Sequence, residues 1–212
     1  VTFIGVKNYF SRQMIRFKLS LENVLNKVKR SIKNDPYNLF SFKKSEYFFD
    51  HFDDYYDFLA ILEHVIIPLK QKKNDLTLKI VNLNCAKGME ILSLLFTLKS
   101  YLPNFDKWKI ELIAFGDNYS DLTFANEGIY TTESLIRMNK IDLQIFFEQE
   151  EKGYRLKQDL KERVSFRYGT AKNFETIKNV DLFFCRGIFN DMEDQSVTRV
   201  VQAIQESMTY GG

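Results

Sequence analysis

The 212 residues suffice for one large domain or for a large and a small one, and 45% hydrophobic content makes a folded globular chain the expectation. Twenty Phe and eleven Tyr against nine Gly and three Pro make the sequence heavy in aromatics and poor in turn-formers. A net charge of +2 argues against a dedicated nucleic-acid binder, two Cys exclude a disulfide framework, and so few Cys and His argue against a structural zinc site. No apolar run approaches the roughly 20 residues of a membrane span, the opening has no signal-peptide pattern, and Val1 in place of Met leads us to expect a fragment or a trimmed chain.

Charge is unevenly placed. Residues 1–34 carry Lys7, Arg12, Arg16, Lys18, Lys27, Lys29, Arg30 and Lys33 against Glu22 alone, a net +7 that leaves −5 for the rest of a chain totalling +2. Such a stretch is a solvated surface or a basic face for an acidic partner. From Ser11 to Ile32, Met14, Ile15, Leu19, Leu21, Val24, Leu25, Val28 and Ile32 recur at mostly helical spacing, with Ser20 a candidate break, and Asn34-Asp35-Pro36 ends the helix. A second helix is predicted from about Asp53 to Lys70. The charged run Gln71–Asp75 reads as a linker, so the predicted domains are 1–70, small and all-α, and 76–212, α/β. His51 and His64 fall in an acidic-aromatic region and read as surface or packing residues.

The α/β part begins with Thr77–Asn82, whose β-branched content suits a short strand, and Glu90–Leu98, apolar nearly all round, suits a buried helix. Between them lies Leu83-Asn84-Cys85-Ala86-Lys87-Gly88-Met89. A glycine at a strand-to-helix turn is a plain turn residue or one that lets the backbone and the helix's N–H groups approach a ligand. The second strand, Trp108–Phe115, runs into Gly116-Asp117, and a carboxylate at that point is placed to accept hydrogen bonds from a ribose.

Further along come a short helix over Asp121–Asn126 ended at Gly128, and another begun by Ile129–Glu133 with Thr132 as cap. A small hairpin follows from Ile145–Glu148 and Tyr154–Leu156, then a helical turn over Gln158–Arg163, strands Val164–Tyr168 and Val180–Cys185, and a helix over Asp194–Met208. Cys85 and Cys185 end predicted strands, as buried free thiols do in a reducing compartment. Strands alternating with helices predict an α/β fold: a doubly wound, mostly parallel Rossmann-like sheet with a small all-α N-terminal domain and a small β-hairpin insertion.

In order, these features resemble the chemotaxis-receptor methyltransferase (CheR) family over nearly the whole chain. The family's A-G-C-S-T-G-E-E loop is similar to Leu83-Asn84-Cys85-Ala86-Lys87-Gly88-Met89-Glu90. Its A-T-D-I falls on Ala114 and Asp117 with one extra residue, and its G-I-Y on Gly128-Ile129-Tyr130. Gly153-Tyr154-Arg155-Leu156 with Val164-Ser165-Phe166-Arg167 resembles its G-Y-x-V and V-T-F-R run, Phe184-Cys185-Arg186 its F-C-R-N, and Tyr210-Gly211-Gly212 its K-P-G-G.

The resemblance implies S-adenosylmethionine as cofactor, S-adenosylhomocysteine as product, and methyl transfer to glutamate side chains of chemotaxis receptors in the cytoplasm. It places cofactor contacts on Gly88, Glu90, Asp117 and Arg186, with Ser45 matching the threonine of T-x-F-F-R. Arg12 and Arg16 on the basic helix would meet acidic helices of a receptor's cytoplasmic domain; neither nucleic acid nor membrane insertion is implied. The family continues past Gly212 into further strands, without which the sheet would offer an open edge.

Several positions depart from the family pattern: Phe49, Asn84, Met89, Thr170, Gly187 and Asp191 stand where it has arginine, glycine, glutamate, asparagine, asparagine and tyrosine. Two readings therefore stay open: an active protein-glutamate O-methyltransferase, or a degenerate relative that keeps the fold and binds a partner. An NAD-dependent oxidoreductase would explain Asp117 but not the missing G-x-G-x-x-G turn.

Overall fold

A computed structural model describes residue 48 and residues 54–73, 75–170, 177–186, 188–189 and 192–209. The predicted basic helix with Arg12 and Arg16, and Ser45, Phe49, Gly187, Asp191 and the Gly211-Gly212 end, lie outside them.

Four parallel strands form the centre: β1 (Thr77–Leu83), β2 (Lys109–Gly116), and, with β3 to β5 elsewhere, β6 (Val164–Tyr168) and β7 (Leu182–Phe184), in the spatial order β6-β2-β1-β7. Thr77 lies opposite Lys109 and Leu83 opposite Phe115, while Ile80 to Asn82 lie opposite Leu182 to Phe184. Period-two alternation sorts β1 and β2 between two cores. Leu78, Ile80, Ile110, Leu112 and Ala114 face one; Val81, Leu83, Ile113 and Phe115 face the other, where Val200 and Ala203 of α6 (Asp194–Ser207) cover them. Helices on both faces of a parallel sheet make the doubly wound architecture expected from the sequence.

The first core is built around α2 (Met89–Tyr101), where Ile91 through Leu98 are all buried. Two hydroxyls in that run bond back along the helix, Ser93 Oγ to Met89 O at 2.8 Å and Thr97 Oγ1 to Ser93 O at 3.0 Å, so neither is left unsatisfied. A helix apolar all round must be covered all round. On α2 the cover comes from the sheet, from α1 through Phe58, Leu62 and Ile66, and from an aromatic cluster. Helix α1 runs from Asp54–Ile61 through a π-helical stretch, Leu62–Ile66, into Ile67–Lys73. Gln71 to Lys73, expected in a linker, thus form its last turn. Lys70 Nζ then donates to Asp181 Oδ1 at 2.7 Å, with the two side chains only 3% and 4% exposed.

The aromatic cluster joins α2 to a small antiparallel sheet of β3 (Ile129–Tyr130), β4 (Phe147–Glu150) and β5 (Gly153–Leu156), in the order β3-β5-β4. Phe96 stacks on Phe146 at 4.3 Å, and Phe48 meets Tyr130 edge-on at 4.9 Å. The predicted hairpin is therefore three-stranded. Ile129 and Tyr130 form a strand where a helix start was expected, because Tyr130 is fully buried in the cluster and pairs with Tyr154. Thr132 caps no helix and sits in a turn; the helix α4 follows later, at Lys140–Phe146, capped by Asn139. Gly153 has φ 147°, and a Cβ there would lie 2.5 Å from the Tyr130 carbonyl oxygen, so close strand pairing demands glycine. The remaining helices are α3 (Tyr119–Glu127) and α5 (Gln158–Lys161).

Candidate functional site

Parallel strands bring the loops after β1, β2 and β7 to one end of the sheet, and three of the predicted contacts, Glu90, Asp117 and Arg186, arrive there on different elements. The β1–α2 loop is folded tightly: Cys85 N donates to Phe115 O and Gly88 N to Cys85 O, both at 2.8 Å. Three residues in this loop have left-handed backbones, Asn84 (φ 74°), Ala86 (φ 47°) and Gly88 (φ 82°). Asn is among the few side chains that tolerate this region. Asn84 thereby keeps a backbone shape that glycine would provide.

Gly88 caps α2 with no side-chain bond to the helix's first N–H groups. Its glycine identity has a packing cause beyond the positive φ: a Cβ would come 2.6 Å from Phe166 Cε1 and 3.4 Å from Ala125 Cβ. The side of Gly88 that needs to be bare thus faces the Phe166 ring. The helix N–H groups are what it leaves available toward the strand ends.

Two residues on, the Glu90 carboxylate is held from both sides. Arg186 Nη1, just past β7, donates to Oε1 at 2.9 Å, and Asn82 Nδ2, near the end of β1, donates to Oε2 at 2.9 Å. Glu90 is 10% exposed and Arg186 24%, so this charge-assisted pair is partly shielded from water. Asn82 is fully buried, and its Oδ1 has no hydrogen-bond partner among the described residues. A buried acceptor left this way costs about 1–3 kcal/mol. For stability alone, an aliphatic side chain would serve better at this position.

Next to the pair, burial and then the negative charge of Glu90 push the Cys185 thiol up to about 12, so it stays protonated and is no nucleophile at neutral pH. Tyr130, whose hydroxyl reaches toward Lys87 O at 3.5 Å, is raised by burial. Asp117 is exposed and follows directly on β2, ahead of Asn118, whose Oδ1 caps α3 by accepting from Asp121 N at 3.1 Å. Beside it, Tyr119 and Tyr168 stack with centroids 4.1 Å apart and planes 6° off parallel, both rings largely exposed. Thr170, standing where the resemblance has asparagine, is exposed just past β6.

Glu90 and Arg186, proposed from the resemblance, are thus in direct contact, with Gly88 in the adjoining turn and Asp117 on the neighbouring strand end. Asn82 was not foreseen, although an amide between Val81 and Leu83 in a strand was a visible signal. The Tyr119–Tyr168 stack was missed as well. Among the described residues no group of His, Cys, Asp and Glu could hold a metal ion, and no helix is long and apolar enough to cross a membrane.

The residues present suit an adenosyl cofactor: a carboxylate past β2 for a diol, an uncapped helix N-terminus, and a carboxylate–guanidinium pair at the strand ends. A parallel sheet of this order, with the β1–α2 turn and the carboxylate past β2, defines a Rossmann-like methyltransferase domain. Residues 44–212 match the family model of the CheR methyltransferase SAM binding domain, most of the chain, and the chain belongs to the CheR family. It is 24% identical over 157 residues to chemotaxis protein methyltransferase 2 of Vibrio cholerae, covering 72% of this chain and 54% of that protein. With the chemotaxis protein methyltransferase of Borreliella burgdorferi it shares 27% over 148 residues, 67% of this chain and 52% of that one. The chain spans about half the length of these curated relatives.

Proposed function

We propose that the protein is an S-adenosylmethionine-dependent methyltransferase that esterifies glutamate side chains on the acidic cytoplasmic helices of a chemotaxis receptor. The observation that carries this reading is the Glu90–Arg186 pair, held across the ends of β1 and β7 in a chain of the CheR family. When bound, the cofactor supplies a methyl group on a sulfonium sulfur. Asp117 accepts hydrogen bonds from the ribose hydroxyls, and Glu90 with Arg186 presents one carboxylate and one guanidinium to the amino-acid end. The α2 N-terminus adds backbone donors. A substrate carboxylate is already ionised at neutral pH, so the residues have only to bind and orient; no general base is called for. The basic segment bearing Arg12 and Arg16 draws the acidic receptor helices, an attraction that weakens with salt. A cytoplasmic setting follows from this substrate.

One observation favours a second reading, a partner-binding relative without catalysis: both Glu90 carboxylate oxygens are already engaged, by Arg186 and Asn82. The test is incubation with radiolabelled S-adenosylmethionine and a receptor cytoplasmic fragment, beside a thermal shift with S-adenosylhomocysteine. Label transferred to base-labile esters is the expected result. A ligand at 100 times its dissociation constant stabilises by about 2.7 kcal/mol. No shift at millimolar ligand, with no label transferred, overturns the enzymatic reading in favour of the second.

A further inference from the structure

Asn82 sits in β1 between Val81 and Leu83, in register with Ala114 on one side and Phe184 on the other. A primary amide in such a strand is an unfavourable choice. Its orientation is nonetheless fixed. Turned over, the amide would set its oxygen against the Glu90 carboxylate, so Nδ2 donates to Oε2 at 2.9 Å while Oδ1 stays buried and unpartnered. Glu90 thereby receives one donor on each oxygen, and turning the carboxylate about its last bond would break the hydrogen bond from Asn82.

We infer that Asn82 is a positioning residue, locking the Glu90 carboxylate in line with Arg186 across the ends of β1 and β7. It touches no ligand itself; it acts through Glu90. For the ligand it concerns, the inference rests on the methyltransferase reading above.

Asn82→Leu removes the amide at similar size. Binding of S-adenosylhomocysteine, measured by calorimetry on the full chain, should weaken at least tenfold while the urea midpoint of the ligand-free protein stays put or rises. A structural role would instead lower the midpoint; a lowered midpoint with affinity within twofold of wild type overturns the inference. Asn82→Asp adds a readout that packing cannot mimic. The new carboxyl and Glu90 would share a proton, with Arg186 and the neutral Cys185 thiol as the other groups facing them from the β7 side. Affinity should approach wild type near pH 5.5, where the protonated acid donates as the amide does, and fall steadily toward pH 8; a constant ratio to wild type across that range counts against the inference.

A ligand-free measurement separates this inference from the methyltransferase reading. The coupling between Glu90→Gln and Arg186→Gln in a double-mutant cycle of unfolding should drop at least by half in an Asn82→Leu background. If wild type fails to bind S-adenosylhomocysteine but the coupling drops, the cofactor reading falls and the positioning role stands. If the coupling is unchanged, the positioning role falls whatever the ligand does.

Discussion

The buried pair Lys70–Asp181 invites a double-mutant cycle. Lys70 Nζ lies 2.7 Å from Asp181 Oδ1, and the Asp181 carboxylate also accepts from Lys79 N at 2.9 Å and Thr209 Oγ1 at 3.3 Å. Removing one member of a buried, hydrogen-bonded ion pair leaves an uncompensated charge and costs about 3–5 kcal/mol. Lys70→Met and Asp181→Leu should each lie in that range. Asp75, 3.4 Å from Lys70, relieves part of the second loss, because in Asp181→Leu the ammonium keeps it as a partner. In the double variant both charges are gone, and what remains is chiefly the orphaned Lys79 N–H, about 1–3 kcal/mol. Independent effects would sum to about 6–10 kcal/mol. The cycle should therefore return a coupling of about 3 kcal/mol or more, read from urea midpoints at equal m-values. Because the pair sits at the amino ends of the strands, S-adenosylhomocysteine affinity should not change. Single variants costing under about 1 kcal/mol, or a double variant equal to the sum, would refute the reasoning.

Gly88→Ala should destabilise by about 2–4 kcal/mol, from the positive φ and the 2.6 Å approach to Phe166, and Phe166→Leu should return part of it because a side chain can yield. Gly153→Ala meets backbone instead, the Tyr130 carbonyl oxygen, so denaturant melts should rank it the more damaging and unrelieved by a second substitution. For Cys185, the folded thiol is raised from 9.0 to about 12, so the folded state keeps a proton that the unfolded chain sheds. Its contribution is complete below about pH 9 and is lost as pH rises toward 12. The stability difference between wild type and Cys185→Ala should shrink over that window, and native protein at pH 8.5 should resist alkylation at this thiol; rapid labelling would contradict the shift.

The parallel sheet and its buried helix were legible because each is announced locally. The β-branched run in β1 and a helix apolar on every side can only be internal elements, and their alternation leaves little choice of architecture. What could not be read were contacts between distant residues. Gly88 is bare because of a ring on β6, and Lys70, the last residue of the predicted second helix, is buried because Asp181 waits 111 positions on. Ile129-Tyr130 was too short to register as a strand without the pairing to Tyr154 and the aromatic cluster that hold it. At the site, the family pattern supplied Glu90, Asp117 and Arg186, whereas Asn82 belongs to no motif and shows its use only once α2 is folded back over β1.

Glu90 and Arg186 are separated by 96 residues, and the short β7 that delivers the arginine pairs with β1 through only three positions. Closing so long a loop is entropically expensive and is rewarded late, after the seven-residue β1–β2 ladder has formed. Cofactor-binding competence should accordingly emerge at the final docking step of folding, and β7 should be among the first segments to exchange its amide hydrogens when the native state opens locally.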